Sequence, residues 1–245
     1  MAMTMEAVAP DPAPFYAHDE TVRYVVGCDL GQSADPTAIC VIAHSKGVID
    51  HDGHAYARHI RGYKETDAER FDVRHLERLP LGLPYPSVVE HVRDLLCRPP
   101  LCGTYSLAGK EITPPAQLVI DESGVGRAVG DIFETAGMNP TRVSITAGSE
   151  VTQAGRDRWH VSKSVLISQV DALLHVGELR FAAELTEAGA MRDELLDFRR
   201  HLTATGRATF AARTGRHDDL VLAVAIACWW LKKPPIMARI VLGGY

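Results

Sequence analysis

Four aspartates stand at the ends of apolar segments, where a carboxylate is costly to bury without a partner. Asp29 ends a first apolar run and Asp121 ends a second one, each just ahead of a turn that contains glycine. Asp218 and Asp219 open the last apolar segment of the chain. A carboxylate beside a core is unfavourable unless it is paired or bound to a metal ion. Three such positions in one chain therefore indicate a single converging acidic cluster.

The chemistry of such a cluster follows from its charge. Neighbouring carboxylates repel one another, so their ionised forms need a cation. Sites made only of oxygen ligands favour hard ions such as Mg²⁺ or Mn²⁺. Two of these ions, about 3.5–4 Å apart, can bind both the attacking and the leaving oxygen of a phosphodiester. The sequence thus predicts metal-assisted phosphoryl transfer, with four residues as catalytic and metal-binding groups: Asp29, Asp121, Asp218 and Asp219.

Each acid also has a simpler structural explanation. Asp29 could begin a turn, since aspartate tolerates turn geometry. Asp121 could cap the turn into the next helix, or Glu122 or Ser123 could be that helix's N-cap. One of the last two aspartates could be an ordinary N-cap beside the positive end of the helix dipole. These explanations stay open for each acid singly, but all three at once are a weaker account than one shared site.

Hydrophobic periodicity predicts the elements that must position these acids. Two apolar runs joined by a short polar turn indicate a hairpin, and alternating helices and strands follow it. This order predicts an α/β fold, a mixed sheet flanked by helices. We expect a flexible N-terminal arm over residues 1–20, one domain over 21–233 and a tail over 234–245. The predicted strands are 24–29, 37–43, 54–63, 117–121, 142–146, 179–181 and 208–212, and the predicted helices are 87–97, 125–136, 162–175, 184–198 and 218–230.

Composition agrees with a globular domain and limits its class. Among 245 residues, 46% are hydrophobic and 23% are charged, a balance that can bury a core. The net charge of −5 lacks the basic character typical of tight, non-specific nucleic-acid binders. The five cysteines include no C-x-x-C pair, which favours a reducing compartment. No stretch reaches the roughly 18 apolar residues of a membrane span, so we expect a cytoplasmic protein without a membrane partner.

Four segments of the chain together form a recognisable pattern. They are V-V-G-C-D-L-G-Q-S-A-D-P-T-A-I-C-V-I at 25–42, L-V-I-D-E-S-G-V-G at 118–126, V-S-K-S-V-L-I at 161–167 and G-R-H-D-D-L-V-L-A-V-A-I-A-C-W at 215–229. These segments resemble the nuclease domain of phage large terminases, in the order of that family. The resemblance covers roughly residues 21–232, and the last segment is the most specific.

The resemblance implies a ribonuclease H-like fold related to Holliday-junction resolvases, and DNA cleavage with two Mg²⁺ or Mn²⁺ ions. It places the metal ions on Asp29, Asp121 and the pair Asp218–Asp219. Glu122 and His217 are weaker candidates beside these acids. The resemblance implies double-stranded DNA as a partner, and a separate packaging ATPase, portal or small terminase. It also implies a protein encoded by a phage or prophage, located in the cytoplasm of the bacterial host.

The chain also departs from full-length large terminases, which carry an ATPase motor ahead of the nuclease. It contains no G-x-x-x-x-G-K-[ST] loop, so we do not expect it to hydrolyse ATP as a P-loop motor. An excised domain, one part of a split terminase and a free-standing relative all fit this pattern.

Other readings of the same residues remain open. The segment 29–33 also resembles the phosphate loop of sugar-kinase and actin-like phosphotransferases, although only one such lobe fits here. The glycines of 124–130 are one residue off a dinucleotide-binding turn. A non-catalytic DNA-docking module of the same fold is a third alternative. Arg156, Arg158 and Lys163 flank aromatic residues and are candidate DNA contacts, against the alternative of a solvated loop and helix start.

Overall fold

Among the residues that the structure describes, a nine-stranded mixed sheet forms the centre of the fold. The computed structural model describes residues 15–17, 22–31, 35–50, 65–103, 113–124, 127–182, 184–197, 199–202, 208–211 and 218–233. The strands of the sheet are β1 (Phe15–Ala17), β2 (Arg23–Asp29), β3 (Ala38–Asp50), β4 (Glu65–Arg78), β5 (Gln117–Asp121), β6 (Thr141–Thr146), β7 (Val151–Gln153), β8 (Arg158–Ser162) and β9 (Leu179–Phe181).

The strand order is β7-β8-β6-β5-β2-β3-β4-β9, and β1 pairs with the far end of β3. β2, β3 and β4 are antiparallel neighbours, whereas β5, β6 and β8 continue from β2 as parallel strands. The carboxyl ends of β2 and β5 therefore meet at one edge of the sheet. A separate antiparallel pair is formed by β10 (Arg199–Leu202) and β11 (Ala208–Ala211).

Helices cover both faces of the sheet and divide the core into two layers. The helices α3, α4 and α5 contribute to one hydrophobic cluster, and α1 and α2 contribute to the other. None of the described helices is long and apolar enough to span a membrane. The helices are α1 (Tyr85–Leu96), α2 (Arg127–Thr135), α3 (Lys163–His175), α4 (Ala188–Asp197) and α5 (Asp219–Leu231).

The predicted fold class, a mixed sheet flanked by helices, is confirmed. The predicted strands at β2, β3, β5, β6, β9 and β11 and the predicted helices α1, α2, α3 and α5 are present. β3 continues to Asp50, well beyond its predicted end, and the other ends are shifted by a few residues. Helix α4 begins at Ala188, four residues later than predicted. The segment 54–63, predicted as a strand, lies outside the described residues, as does the tail 234–245.

Several strands of the structure were not predicted from the sequence. The long strand β4 was not predicted, and β7 and β8 occupy a stretch read as a loop before the helix start. β1 falls within 1–20, the predicted flexible arm, yet its three residues pair with Gly47, Val48 and Ile49. The short strand β10 was likewise not predicted.

Candidate metal centre

Asp29 and Asp121 lie side by side at the carboxyl edge of the sheet. They are register partners across the parallel strands β2 and β5. Side chains two residues apart on a strand share a face, and Val25 and Val119 belong to the core layer that includes α5. By the same alternation, both carboxylates are placed on the face that α5 covers.

Close packing at Gly27 brings the start of α5 to these acids. A Cβ atom at Gly27 would collide with the backbone oxygen of Ala223, and it would lie 2.9 Å from the Cβ of Ala227. The helix therefore lies directly against β2, where only glycine leaves room. Asp218 is at the N-cap position of this helix, and Asp219 is its first residue.

Side-chain cations hold both aspartates of the helix start. Lys163, the first residue of α3, places its Nζ 2.5 Å from Oδ2 of Asp218. Arg78, the last residue of β4, donates from Nε to Oδ2 of Asp219 at 2.7 Å. Arg78 is opposite Ala38, which is itself the register partner of Asp29. Arg78 and Asp29 thus end strands on the two sides of β3.

Glu194 is a further acid of this site that the sequence prediction missed. It is 6% exposed, pairs with Arg78 and accepts a hydrogen bond from the backbone N–H of Val221 at 3.0 Å. It thereby caps α5, whereas the side chain of Asp218 makes no capping hydrogen bond. Burial, together with repulsion from the two aspartates of the helix start, raises the pKa of Glu194 to about 7. The only sequence signal was its spacing, since it lies three residues after the buried Met191 on α4.

Ser123 fixes the orientation of Asp121. Its backbone N–H donates to Oδ1 of Asp121 at 2.8 Å, and its hydroxyl donates to the same oxygen at 2.5 Å. The hydroxyl oxygen in turn accepts from the N–H of Ile145 at 2.5 Å. The carboxylate of Asp121 is thus fixed through one oxygen by its own turn. Because α2 begins only at Arg127, this turn does not make Asp121 the N-cap of that helix.

Burial and mutual repulsion dominate the electrostatics of the strand-end carboxyls. Burial raises the pKa of Asp29 well above its ordinary value, and repulsion from Asp121, Asp218 and Asp219 adds to the shift. Burial also raises the pKa of Asp121, and the hydrogen bonds from Ser123 only partly offset it. Among the described residues, the side-chain cations Lys163 and Arg78 pair with Asp218, Asp219, Glu187 and Glu194. Clustered carboxylate oxygens fit a hard divalent ion.

The described residues contain no group of three or more His, Cys, Asp or Glu side chains arranged to hold a metal ion. The contacts of Asp218 and Asp219 are consistent with this, since each forms an ion pair with a cation of the chain. Burial raises the pKa of both Asp29 and Asp121, and the nearby charge of Lys163 only partly offsets this.

Comparison with known proteins gives a sequence relation and a fold. No family model matches the chain. The large terminase subunits of Thermus phage G20c and Thermus virus P23-45 are 30% identical to it over 112 residues, which is 46% of this chain and 20% of theirs. The chain therefore matches about a fifth of the length of these relatives. The crystal structure of the large terminase nuclease from thermophilic phage G20c with bound magnesium aligns with a TM-score of 0.57 and 21% identity, covering 87% of this chain and 84% of that one.

The fold is that of a large-terminase nuclease domain. The cobalt-bound structure of the same G20c nuclease aligns with a TM-score of 0.56 and 21% identity, over 89% of this chain and 90% of that one. The nuclease domain from Thermus phage P74-26 aligns at 0.53 and 19% identity, over 87% and 83%. The predicted resemblance to terminase nuclease domains is thereby confirmed.

Of the remaining predicted site residues, Lys163 lies at the acids, because it contacts Asp218. Arg156 is exposed in the turn before β8, and Arg158 is half-buried on β8. Glu122 is buried, next to Asp121 in the chain but on the other side of the strand by alternation. His217 lies outside the described residues.

Proposed function

We propose that this chain is a Mg²⁺- or Mn²⁺-dependent endonuclease that cleaves double-stranded DNA, as the nuclease part of a DNA-packaging terminase. The observation that carries the proposal is the in-register pair Asp29 and Asp121 at a sheet edge beside the start of α5. The terminase nuclease fold supports it, as do the magnesium and cobalt bound by the G20c nuclease. Nothing in the described residues favours a phosphotransferase over this function.

In this proposal Asp29 and Asp121 are the central metal ligands, and Asp218 and Asp219 complete the ligand set for two ions. Bound divalent ions would activate water and stabilise both oxygens of the displacement at phosphorus. The chain's own residues prepare the ligands. Ser123 fixes Asp121, and Arg78 and Lys163 hold the two aspartates of the helix start near the strand ends.

Lys163 has a second use in this arrangement. Its side chain is 27% exposed, and its ammonium group lies at the acids, so it can donate to a phosphate oxygen that approaches the same edge of the sheet. A lysine placed there helps an acidic chain to accept an anionic substrate. We expect weak overall DNA affinity that falls steeply with salt, because few phosphate contacts support binding.

The partners of the packaging machinery belong to the proposal too. The relatives that match are large terminase subunits, and the chain spans only about a fifth of their length. We infer that this nuclease works beside a packaging ATPase, a portal and a small terminase, in a cell that harbours the phage.

Conversion of supercoiled plasmid to nicked and linear forms tests the proposal. The wild type should cut in Mn²⁺, more slowly in Mg²⁺ and not in EDTA. Asp29→Asn, Asp121→Asn and at least one of Asp218→Asn and Asp219→Asn should lose cleavage by at least about tenfold. Asp94→Asn, an exposed aspartate of α1, is the matched control and should cut normally.

Two outcomes would overturn it. A plasmid that stays supercoiled at high enzyme and Mn²⁺ concentration would indicate a non-catalytic DNA-docking module. Metal-dependent ATP hydrolysis without DNA cleavage would indicate the phosphotransferase alternative.

A further inference from the structure

Lys163 reaches the aspartate cluster from the same edge of the sheet. β5, β6 and β8 are parallel strands, so the carboxyl end of β8 lies at the edge where Asp29 and Asp121 end their strands. Lys163 follows β8 directly, as the first residue of α3. Its Nζ lies 2.5 Å from Oδ2 of Asp218. The ammonium group therefore lies among the acids to which the proposed function assigns the metal ions.

The charge of this one ammonium group acts on acids from three separate elements. It pairs with Asp218 at the start of α5. Burial raises the pKa of Asp29 on β2 and of Asp121 on β5, and the charge of Lys163 acts on both in the opposite direction. A monovalent cation that serves all three acids thus lies in or beside the region where they would share a metal ion.

The position of Lys163 is electrostatically unfavourable for its own helix. The N-terminus of a helix carries a partial positive charge and disfavours a cation. Residues 163–166, the first turn of α3, include no acidic side chain. Ser162 already caps the helix, because its hydroxyl oxygen accepts from the N–H of Val165 at 3.3 Å. The formation of α3 therefore gives no reason for a lysine at this position, whereas the aspartate cluster does.

Arg78 is another side-chain cation at the acids, and its contacts differ from those of Lys163. It pairs with Glu194 and Glu187 in addition to Asp219. These two glutamates would keep Arg78 in place if Asp219 turned towards a metal ion. Lys163 instead carries a compact charge on a flexible stem, and its side chain is 27% exposed. Its ammonium group can therefore move into solvent.

We propose that Lys163 is the resident counter-ion of the metal-free centre and that it exchanges with a divalent ion. In the metal-free protein its ammonium group offsets part of the charge on Asp218 and on the strand-end aspartates. Repulsion between like charges moves the ammonium group away from Asp218 when a divalent ion binds. This movement makes Lys163 available to a DNA phosphate, a consequence that rests on the proposed function.

The Mn²⁺ affinity of Lys163→Met, measured by calorimetry without DNA, tests the exchange. Methionine keeps an unbranched side chain but removes the competing charge, so this variant should bind Mn²⁺ about tenfold more tightly than the wild type. A lysine that only positioned Asp218 would give the opposite sign, because its loss would weaken the site. Lys163→Arg keeps the charge and should bind Mn²⁺ much as the wild type does. Thermal melting will show that both variants fold.

Two further variants assign the effect to the centre. Lys46→Met is the matched control, because Lys46 is 64% exposed and pairs with Glu69 rather than with an aspartate of the cluster. It should leave the Mn²⁺ affinity unchanged. Adding Asp29→Asn to Lys163→Met should abolish the gain in affinity. In crystals soaked in Mn²⁺, the Nζ of Lys163 should lie beyond the roughly 4 Å of an ion pair from Asp218.

The outcomes separate this inference from the proposed function. Equal or weaker Mn²⁺ binding by Lys163→Met, beside a wild type that binds saturably, would overturn the exchange and leave the metal centre standing. An intact contact between Lys163 and Asp218 in crystals with an occupied centre would do the same. A wild type without saturable Mn²⁺ binding would overturn both the exchange and the proposed function.

Discussion

Asp29 and Asp121 are register partners at the carboxyl ends of two parallel strands, so their carboxylates stand side by side beneath α5. Burial and mutual repulsion raise the pKa of Asp29. The folded state thus holds two carboxylates that repel each other. A divalent cation bound between them would replace this repulsion with attraction. The stability of the protein should therefore report on metal binding directly.

Replacing Asp29 should alter stability in opposite ways with and without metal. In EDTA, Asp29→Asn should melt at the same temperature as the wild type or higher, because one of two repelling carboxylates is removed. Saturating Mn²⁺ should raise the melting temperature of the wild type by about 5–10 °C, as expected for a ligand at about 100 times its Kd. The variant should gain far less. Equal Mn²⁺ shifts in the wild type and the variant, measured by calorimetry, would exclude Asp29 as a ligand.

Arg78 should be essential for the stability of the site. It is the cation shared by two almost fully buried carboxylates, Glu194 and Asp219. Arg78→Met should cost about 3–5 kcal/mol of unfolding free energy, since it removes the cation that pairs with both buried carboxylates. Arg74→Met is the control on the same strand, because Arg74 is 61% exposed and pairs with the neighbouring Asp72. Chemical denaturation that shows similar small losses in both variants would contradict this role.

Gly27 should tolerate no side chain. Gly27→Ala introduces a Cβ that collides with the backbone oxygen of Ala223, so α5 must move away from β2. Overpacking of this kind typically costs about 1–3 kcal/mol, and the displaced helix start should also weaken Mn²⁺ binding. Gly189→Ala is the control, because a Cβ there meets no atom within 4 Å and α4 should gain slightly from alanine. A Gly27→Ala protein with wild-type melting and metal affinity would show that the contact with α5 is not required.

The acid limb of the stability profile should depend on Glu69. Burial alone would raise the pKa of this carboxyl, but hydrogen bonds from Lys232, Lys46 and His44 outweigh it and lower the pKa to about 2. A lowered carboxyl pKa adds stability that is fully present above pH 4.5 and is lost as the pH falls towards 2.

Glu69→Gln should therefore be less stable than the wild type at pH 7, and the difference should shrink between pH 4.5 and 2. Glu90→Gln, on an exposed helix position, is the control for removing one carboxylate and should stay close to the wild type in stability at pH 7. Urea denaturation across this pH range measures the effect, and a constant difference between Glu69→Gln and the wild type would contradict it.

The strand-end acids could be predicted from sequence because each terminates a short apolar run, and burial in the sheet makes such runs continuous. β4 could not, because ten of its 14 side chains are polar and its pairing with β3 shifts register between Val41 and Ile42. That irregularity inserts Arg74 between Val73 and His75 without a partner on β3, so its buried residues Phe71, Val73 and Leu76 lose the two-residue period that identifies a strand.

The contacts of the acids were beyond the sequence for a different reason. Arg78 and Asp219 are 141 residues apart in the chain, and no periodicity links an arginine of an unpredicted strand to a helix start. A glutamate on α4 is typical of an exposed helix surface. The packing of α4 against α5 instead places Glu194 at the N-terminus of α5. Local patterns thus identified the acids, whereas the tertiary arrangement determined their partners.

Anomalous diffraction from crystals soaked in Mn²⁺ is the most direct test of the central claim, that the strand-end aspartates form a divalent-metal centre. We predict a strong anomalous peak within ligand distance of the carboxylates of both Asp29 and Asp121, absent from Asp29→Asn crystals treated alike. An occupied site elsewhere on the chain, with no peak between these two carboxylates, would contradict the account.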